Sequence, residues 1–194
     1  MRKSLTIAAA VLSLGLASPA AATDFTVDAD HTMMFFKVDH LGYSNMIGRF
    51  NKVEGRFTFD EKAPEAASVE LTIDTASIDT NHKRRDDHLR SPDFFNVQEF
   101  PEMTFRSTKV EVTGENTGKV TGDLTLLGVT RPVTLDVTFN KVAPHPLPQY
   151  NKVLTAGFSA RGTLNRSDFG MTYVLPAVGD AVTLMIEIEG AERK

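Results

Sequence analysis

The chain has 194 residues, no cysteine or tryptophan, and a formal net charge of −4. That length suffices for one domain with its own apolar core, while the missing cysteine excludes disulfides, a thiol nucleophile and a lipid-modified N-terminal cysteine. Mild acidity without a basic stripe argues against nucleic acid as a partner.

The chain opens MRKSLTIAAAVLSLGLASPAAATDF, with two positive residues, an apolar run from Leu5 to Ala17, and Ala20 and Ala22 at signal-peptidase spacing. This has the form of a secretory signal peptide over 1–22, too short in its apolar part for a comfortable membrane span. Cleavage after Ala22 starts the mature domain, 23–194, at Thr23, and removing Arg2 and Lys3 makes it more acidic still. It is expected to be exported and soluble, without stable membrane insertion.

Eight segments then alternate apolar and polar residues: Thr32–His40, Val53–Phe59, Ser68–Thr75, Thr104–Val112, Lys119–Leu127, Val133–Val142, Thr155–Leu164 and Ala181–Glu189. In the last, Val182, Leu184, Ile186 and Ile188 share one face and Thr183, Glu187 and Glu189 the other. A two-residue period predicts strands with one wet and one dry face, hence antiparallel sheet. Gly114 to Gly118, Gly128 to Pro132, Ala143 to Tyr150 and Pro176 to Asp180 supply turns. Eight such strands predict an all-β, eight-stranded antiparallel barrel, the size at which side chains fill the interior or leave room for one small ligand.

Between the third and fourth strands, Ser77 to Phe105 does not alternate. Its first half is charged and its second half aromatic, which predicts a helical crossover over one end of the barrel. Asn81 is the expected N-cap, Asp86 and Arg90 stand at i,i+4 spacing, and Ser91-Pro92 has the form of a second helix start. Phe100 precedes Pro101, which returns the chain to extended backbone.

Strand parity gives the candidate ligand-binding wall. Met34, Phe36 and Val38 face inward from the first segment, Phe57 and Phe59 from the second, and Leu71 and Ile73 from the third. Leu124 and Leu126, Leu135 and Val137, Phe158, and Leu184 and Ile186 complete it. Small residues at Gly122, Ala160 and Gly162 share that parity and point to a cavity. The segment MMFFKV is apolar on both faces, so Met33 and Phe35 call for cover by the proline-rich loop or by a second copy in a homodimer.

SIDTNHKRRDDHLRSPDFFNVQEFPEMTFRST, GDLTLLGVTRPVTLDV, HTMMFFKVDHLGYSNMIGRF and NRSDFGM stand in that family's order and resemble the motifs of the YceI-like, polyisoprenoid-binding family. The resemblance implies a lipocalin-like barrel, exported to the periplasm in many members, that holds a long isoprenoid or other extended lipid. The positions it carries over are Arg85, Asp86, His88, Leu89, Arg90, Ser91, Asp93 and Phe94. It implies no catalytic set.

Chemistry at the barrel mouth has two candidate forms. His40, Arg85, Asp86, His88 and Arg90 form a head-group set, in which the planar donor forks of Arg85 and Arg90 suit a phosphate, quinone or carboxylate. The alternative is an acid–base enzyme on a small hydrophobic substrate, using a His–Asp pair among His82, Asp86, Asp87, His88 and His40. Weighed against both is a solvated charged helix of ordinary ion pairs, with His40 and His88 bonded to backbone groups. His82 and Asp86 supply two metal ligands, too few for a tetrahedral site, so neither metal nor cofactor is expected. The favoured expectation is a carrier of one apolar ligand, with a filled, purely structural barrel as a third possibility.

Overall fold

The computed structural model describes residues 22–193, so the apolar leader lies outside the described residues. Eleven strands form one sheet: β1 (Thr23–Val27), β2 (Met33–His40), β3 (Ser44–Phe50), β4 (Val53–Phe59), β5 (Ser68–Asp74), β6 (Ile78–Asp79), β7 (Glu102–Gly114), β8 (Thr117–Leu126), β9 (Val129–Pro144), β10 (Leu154–Asn165) and β11 (Val178–Glu192). The order β1-β4-β5-β7-β8-β9-β10-β11 closes on itself through a β1–β11 pairing, giving an eight-stranded antiparallel barrel. Closure removes the open edges that a free sheet would present.

The strand that closes the barrel is β1, not the Thr32–His40 segment. Phe25 and Val27 are buried against β4 and β11, with Phe25 stacked on Phe57 at 4.9 Å between ring centres. β11 is long enough for two neighbours on one edge: β1 pairs with Gly190–Glu192, and β2 pairs along Val178–Glu187. The hairpin β2–β3 therefore extends the wall beyond the closed ring, and β3 ends against β6. Strands β1, β3 and β6 escape the alternation count because they are short or, in β3, interrupted by Gly48.

The crossover holds a single short helix, α1 (Lys83–Leu89), with three corrections to its expected detail. The N-cap is His82, whose Nδ1 accepts from the Arg85 N–H at 3.3 Å; Asn81 adopts a left-handed φ of +59°, which asparagine tolerates, and turns the chain into the helix. Asp86 does not pair with the Arg90 side chain, which reaches Asp87 instead. Ser91-Pro92 starts turns rather than a second helix: the Phe94 and Asn96 N–H groups both donate to the Ser91 carbonyl. As expected, Pro101 precedes a strand.

Candidate functional site

The interior is divided into two apolar chambers. The first, about 250 Å³, is walled by Phe57, Phe59, Val69, Val110, Val137, Phe139, Phe158, Ala160 and Ile188. Its outer rim is exposed and consists of Glu61, Ser68 and the tip of the β7–β8 hairpin between Glu111 and Thr117, so this chamber reaches solvent. The second, about 170 Å³, lies under the crossover and is walled by Met34, Phe36, Val38, Phe50, Met103, Leu126, Leu164 and Leu184 among others. Leu89, Phe94 and Phe95 roof it, and not one residue of its wall is exposed. Leu71, Phe105, Leu135 and Ile186 belong to both walls and form a waist between them.

All fourteen residues placed inward by parity line one chamber or the other. Phe57, Phe59, Val137 and Phe158 line the first; Met34, Phe36, Val38, Ile73, Leu124, Leu126 and Leu184 line the second; Leu71, Leu135 and Ile186 line both. Met103 and Phe105 line the walls as well; they stand where the crossover runs into β7, and their alternation with Glu102 and Thr104 is the sequence signal for them. In the first chamber Phe158 meets Phe57, Phe59 and Phe139 at 5.0 to 5.6 Å between ring centres, giving a wall of aromatic edges and faces.

The three small residues have different roles. Ala160 opens space in the first chamber. Gly122 and Gly162 line neither: a Cβ at Gly122 would stand 2.4 Å from the Phe105 ring and 2.6 Å from the Arg106 carbonyl oxygen, and one at Gly162 would stand 2.6 Å from a Leu135 methyl. These glycines seat Phe105 and Leu135, two members of the waist, so they signal close approach rather than a void.

The charged crossover is fastened to the chain beneath it. Asp86 is buried, and its Oδ1 accepts from the Thr80 N–H at 2.9 Å and from the Thr80 hydroxyl. Arg85 donates to the Thr80 hydroxyl and carbonyl, both at 2.7 Å. Arg90 donates to the carbonyls of Ala76 at 2.8 Å and Ile78 at 2.6 Å. Both guanidinium groups are thus tied to the segment 76–80, Arg85 through the Thr80 hydroxyl and carbonyl and Arg90 through two carbonyls. His88 Nε2 meets Asp93 at 3.0 Å on the surface rather than a backbone group, and its ring packs edge-on against Phe94 and Tyr173. His40 ends β2, and none of His40, His82, Asp86, Asp87 or His88 lines a chamber. His82 and Asp86 point to different partners, and among the described residues no three His, Asp or Glu side chains converge as metal ligands.

One residue of structural weight had no local signal. Arg166 is 3% exposed, and its guanidinium donates to the carbonyls of Gly179, Met171, Tyr173 and Val178 at 2.9 to 3.0 Å. Burial pulls its pKa down from the ordinary arginine value, and Asp180 opposes that shift. The same turn is tied by Ser167, whose hydroxyl and N–H donate to Asp180 at 2.7 and 2.9 Å. Those two bonds hold the Asp180 carboxyl below the usual carboxylate value, so its stabilising contribution is present above that value and is lost as pH falls through the depressed one. In Ser167→Ala the Asp180 carboxyl midpoint is expected to rise toward an ordinary aspartate, as followed by NMR titration; an unmoved midpoint would mean that Ser167 does not hold the carboxylate.

A family model described as the YceI-like domain matches residues 25–190, nearly the whole barrel. The chain belongs to the YceI-like family. Among curated YceI-like relatives, a UPF0312 protein of Pectobacterium carotovorum is 43% identical over 196 residues, covering 100% of both chains. Among solved structures, the Campylobacter jejuni YceI protein superposes with a TM-score of 0.70 at 34% identity, over 80% of this chain and 90% of that one. A polyisoprenoid binding domain from Saccharophagus degradans shares the fold, with a TM-score of 0.62 at 14% identity, over 87% of this chain and 98% of that one. A closed antiparallel barrel with an apolar interior is thus the common ground of this YceI-like chain and these structures.

Proposed function

We propose that this YceI-like protein is a periplasmic carrier that holds one long apolar ligand, a polyisoprenoid, isoprenoid quinone or related lipid, for storage, transport or sequestration. The carrying observation is the pair of apolar chambers meeting at Leu71, Phe105, Leu135 and Ile186, which together run from an exposed mouth to the roof under α1. Polyisoprenoid binding by the Saccharophagus domain supports the same ligand class. Binding is favoured over turnover because the only charged residue in the wall of the inner chamber is Arg166, four of whose five N–H donors are engaged by backbone carbonyls.

The tail suffices for useful affinity. At about 0.8 kcal/mol per buried methylene, ten methylenes give roughly 8 kcal/mol before ordering costs, the scale of micromolar binding. The test is native mass spectrometry of protein purified from its host without detergent, with liquid chromatography–mass spectrometry of the organic extract. A near-stoichiometric lipid of one chemical class is the expected result; an empty protein that also takes up neither isoprenoids, quinones nor fatty amides would overturn the proposal. The same spectrum reports whether a homodimer covers Met33, which remains 48% exposed on the outer face of β2.

A further inference from the structure

The walls of the two chambers contain few charged side chains, and their distribution orients a ligand. The outer chamber has Glu61, Glu111 and Glu115 at its rim and neither lysine nor arginine anywhere in its wall. Glu111 is paired with Lys109 at 2.9 Å, whereas Glu61 and Glu115 form no ion pair among the described residues. The inner chamber has Arg166 alone, and four of its five N–H donors are held by backbone carbonyls. Arg85 and Arg90 line neither chamber.

We infer that the ligand enters tail first, and that its polar end, a hydrogen-bond donor without negative charge such as an amine, amide or alcohol, stays at the Glu61–Glu115 mouth. This rests on the carrier function proposed above. Two physical arguments converge on it. A polar end driven to the roof of the inner chamber would lose water and meet hydrocarbon walls with a single uncommitted Arg166 N–H as a partner, so that orientation is disfavoured. At the outer mouth, a phosphate or carboxylate would stand within a Debye length of two unpaired carboxylates and find no cation in the chamber wall, the Lys109 ammonium at the rim being held by Glu111, whereas an ammonium or hydroxyl donates to those carboxylates. Thr58, Ser68, Asn116 and Thr117 lie in the same chamber's wall and add neutral hydrogen-bonding groups there.

The experiment uses delipidated protein and three ligands with one tail: geranylgeranylamine, geranylgeraniol and geranylgeranyl phosphate, each titrated at low and high ionic strength. The amine and the alcohol are expected to bind, and the phosphate to bind about tenfold more weakly than the amine at low salt, with the gap closing as salt screens the mouth. In Glu61→Lys/Glu115→Lys, with circular dichroism confirming the fold, the preference reverses toward the phosphate. Equal or tighter phosphate binding by the wild-type protein, or a preference that ignores both salt and the double substitution, overturns the head-group assignment and leaves the apolar-carrier function standing. If none of the three binds, the carrier function fails and the inference falls with it.

Discussion

Replacing Ala160 by phenylalanine is expected to abolish lipid retention while the barrel remains folded. Ala160 sits in the middle of β10, opposite Ile186 on β11 and Val137 on β9, and lines the outer chamber beside Phe158. A ring there enters open volume instead of packed core, so the overpacking cost stays near the low end of the usual 1–3 kcal/mol. It denies the tail about four methylenes of contact, about 3 kcal/mol, or roughly a hundredfold in affinity. The check is the lipid content of the extract set beside the thermal melting curve. Normal lipid in a variant with an unchanged melting temperature would mean that the outer chamber does not hold the tail. Gly122→Leu is not an equivalent filler, because its side chain would collide with the Arg106 backbone and the Phe105 ring; it is expected to cost stability before it blocks any ligand.

The second large effect falls on the turn at the opposite end. Arg166→Met keeps much of the side-chain volume and removes the donors to Met171, Tyr173, Val178 and Gly179. Four carbonyls then lose their partner at once around a site that is 3% exposed, a loss expected to cost about 3–5 kcal/mol in denaturant unfolding. Below about 1 kcal/mol, the network would not be holding the turn. The effect should also be directional. Tyr173 packs on His88 and Phe94 at 5.5 and 5.4 Å, and Phe94 roofs the inner chamber, so hydrogen exchange should accelerate in 171–179 and in the turns after α1 before the barrel strands respond. Arg166→Lys retains the charge without the planar fork and should recover only part of the loss.

Much of the barrel was legible because alternation is a local property. Each of the eight predicted segments overlaps an observed strand, and parity alone turns Leu71, Leu135 and Ile186 inward, where the structure has both chambers meet. β3 was hidden because Gly48 reads as a turn residue, yet in the sheet its missing side chain makes room for the Phe36 ring across the strand pair. Arg166 was hidden for a similar reason. An arginine in a polar turn reads as an exposed charge, and nothing within NRSDFGM announces that carbonyls from Met171 through Gly179 will converge on it. The helical cap is legible in the crossover, but the partners of its donors are not: Arg85 and Arg90 look like free forks in sequence, and in the fold they are bonded to Thr80, Ala76 and Ile78.

By itself, then, the amino-acid sequence determined the family, the antiparallel class and the side of each long strand that is dry, because a two-residue period needs only neighbours to be expressed. The tertiary structure alone decided which strand closes the barrel, that Phe105 and Leu135 narrow the interior to a waist, and that the open mouth is edged by Glu61 and Glu115 rather than by arginine. Those features depend on pairings between residues far apart in the chain, and on which donors reach a carbonyl once the sheet has curved shut. Spacing along the sequence does not encode those distances.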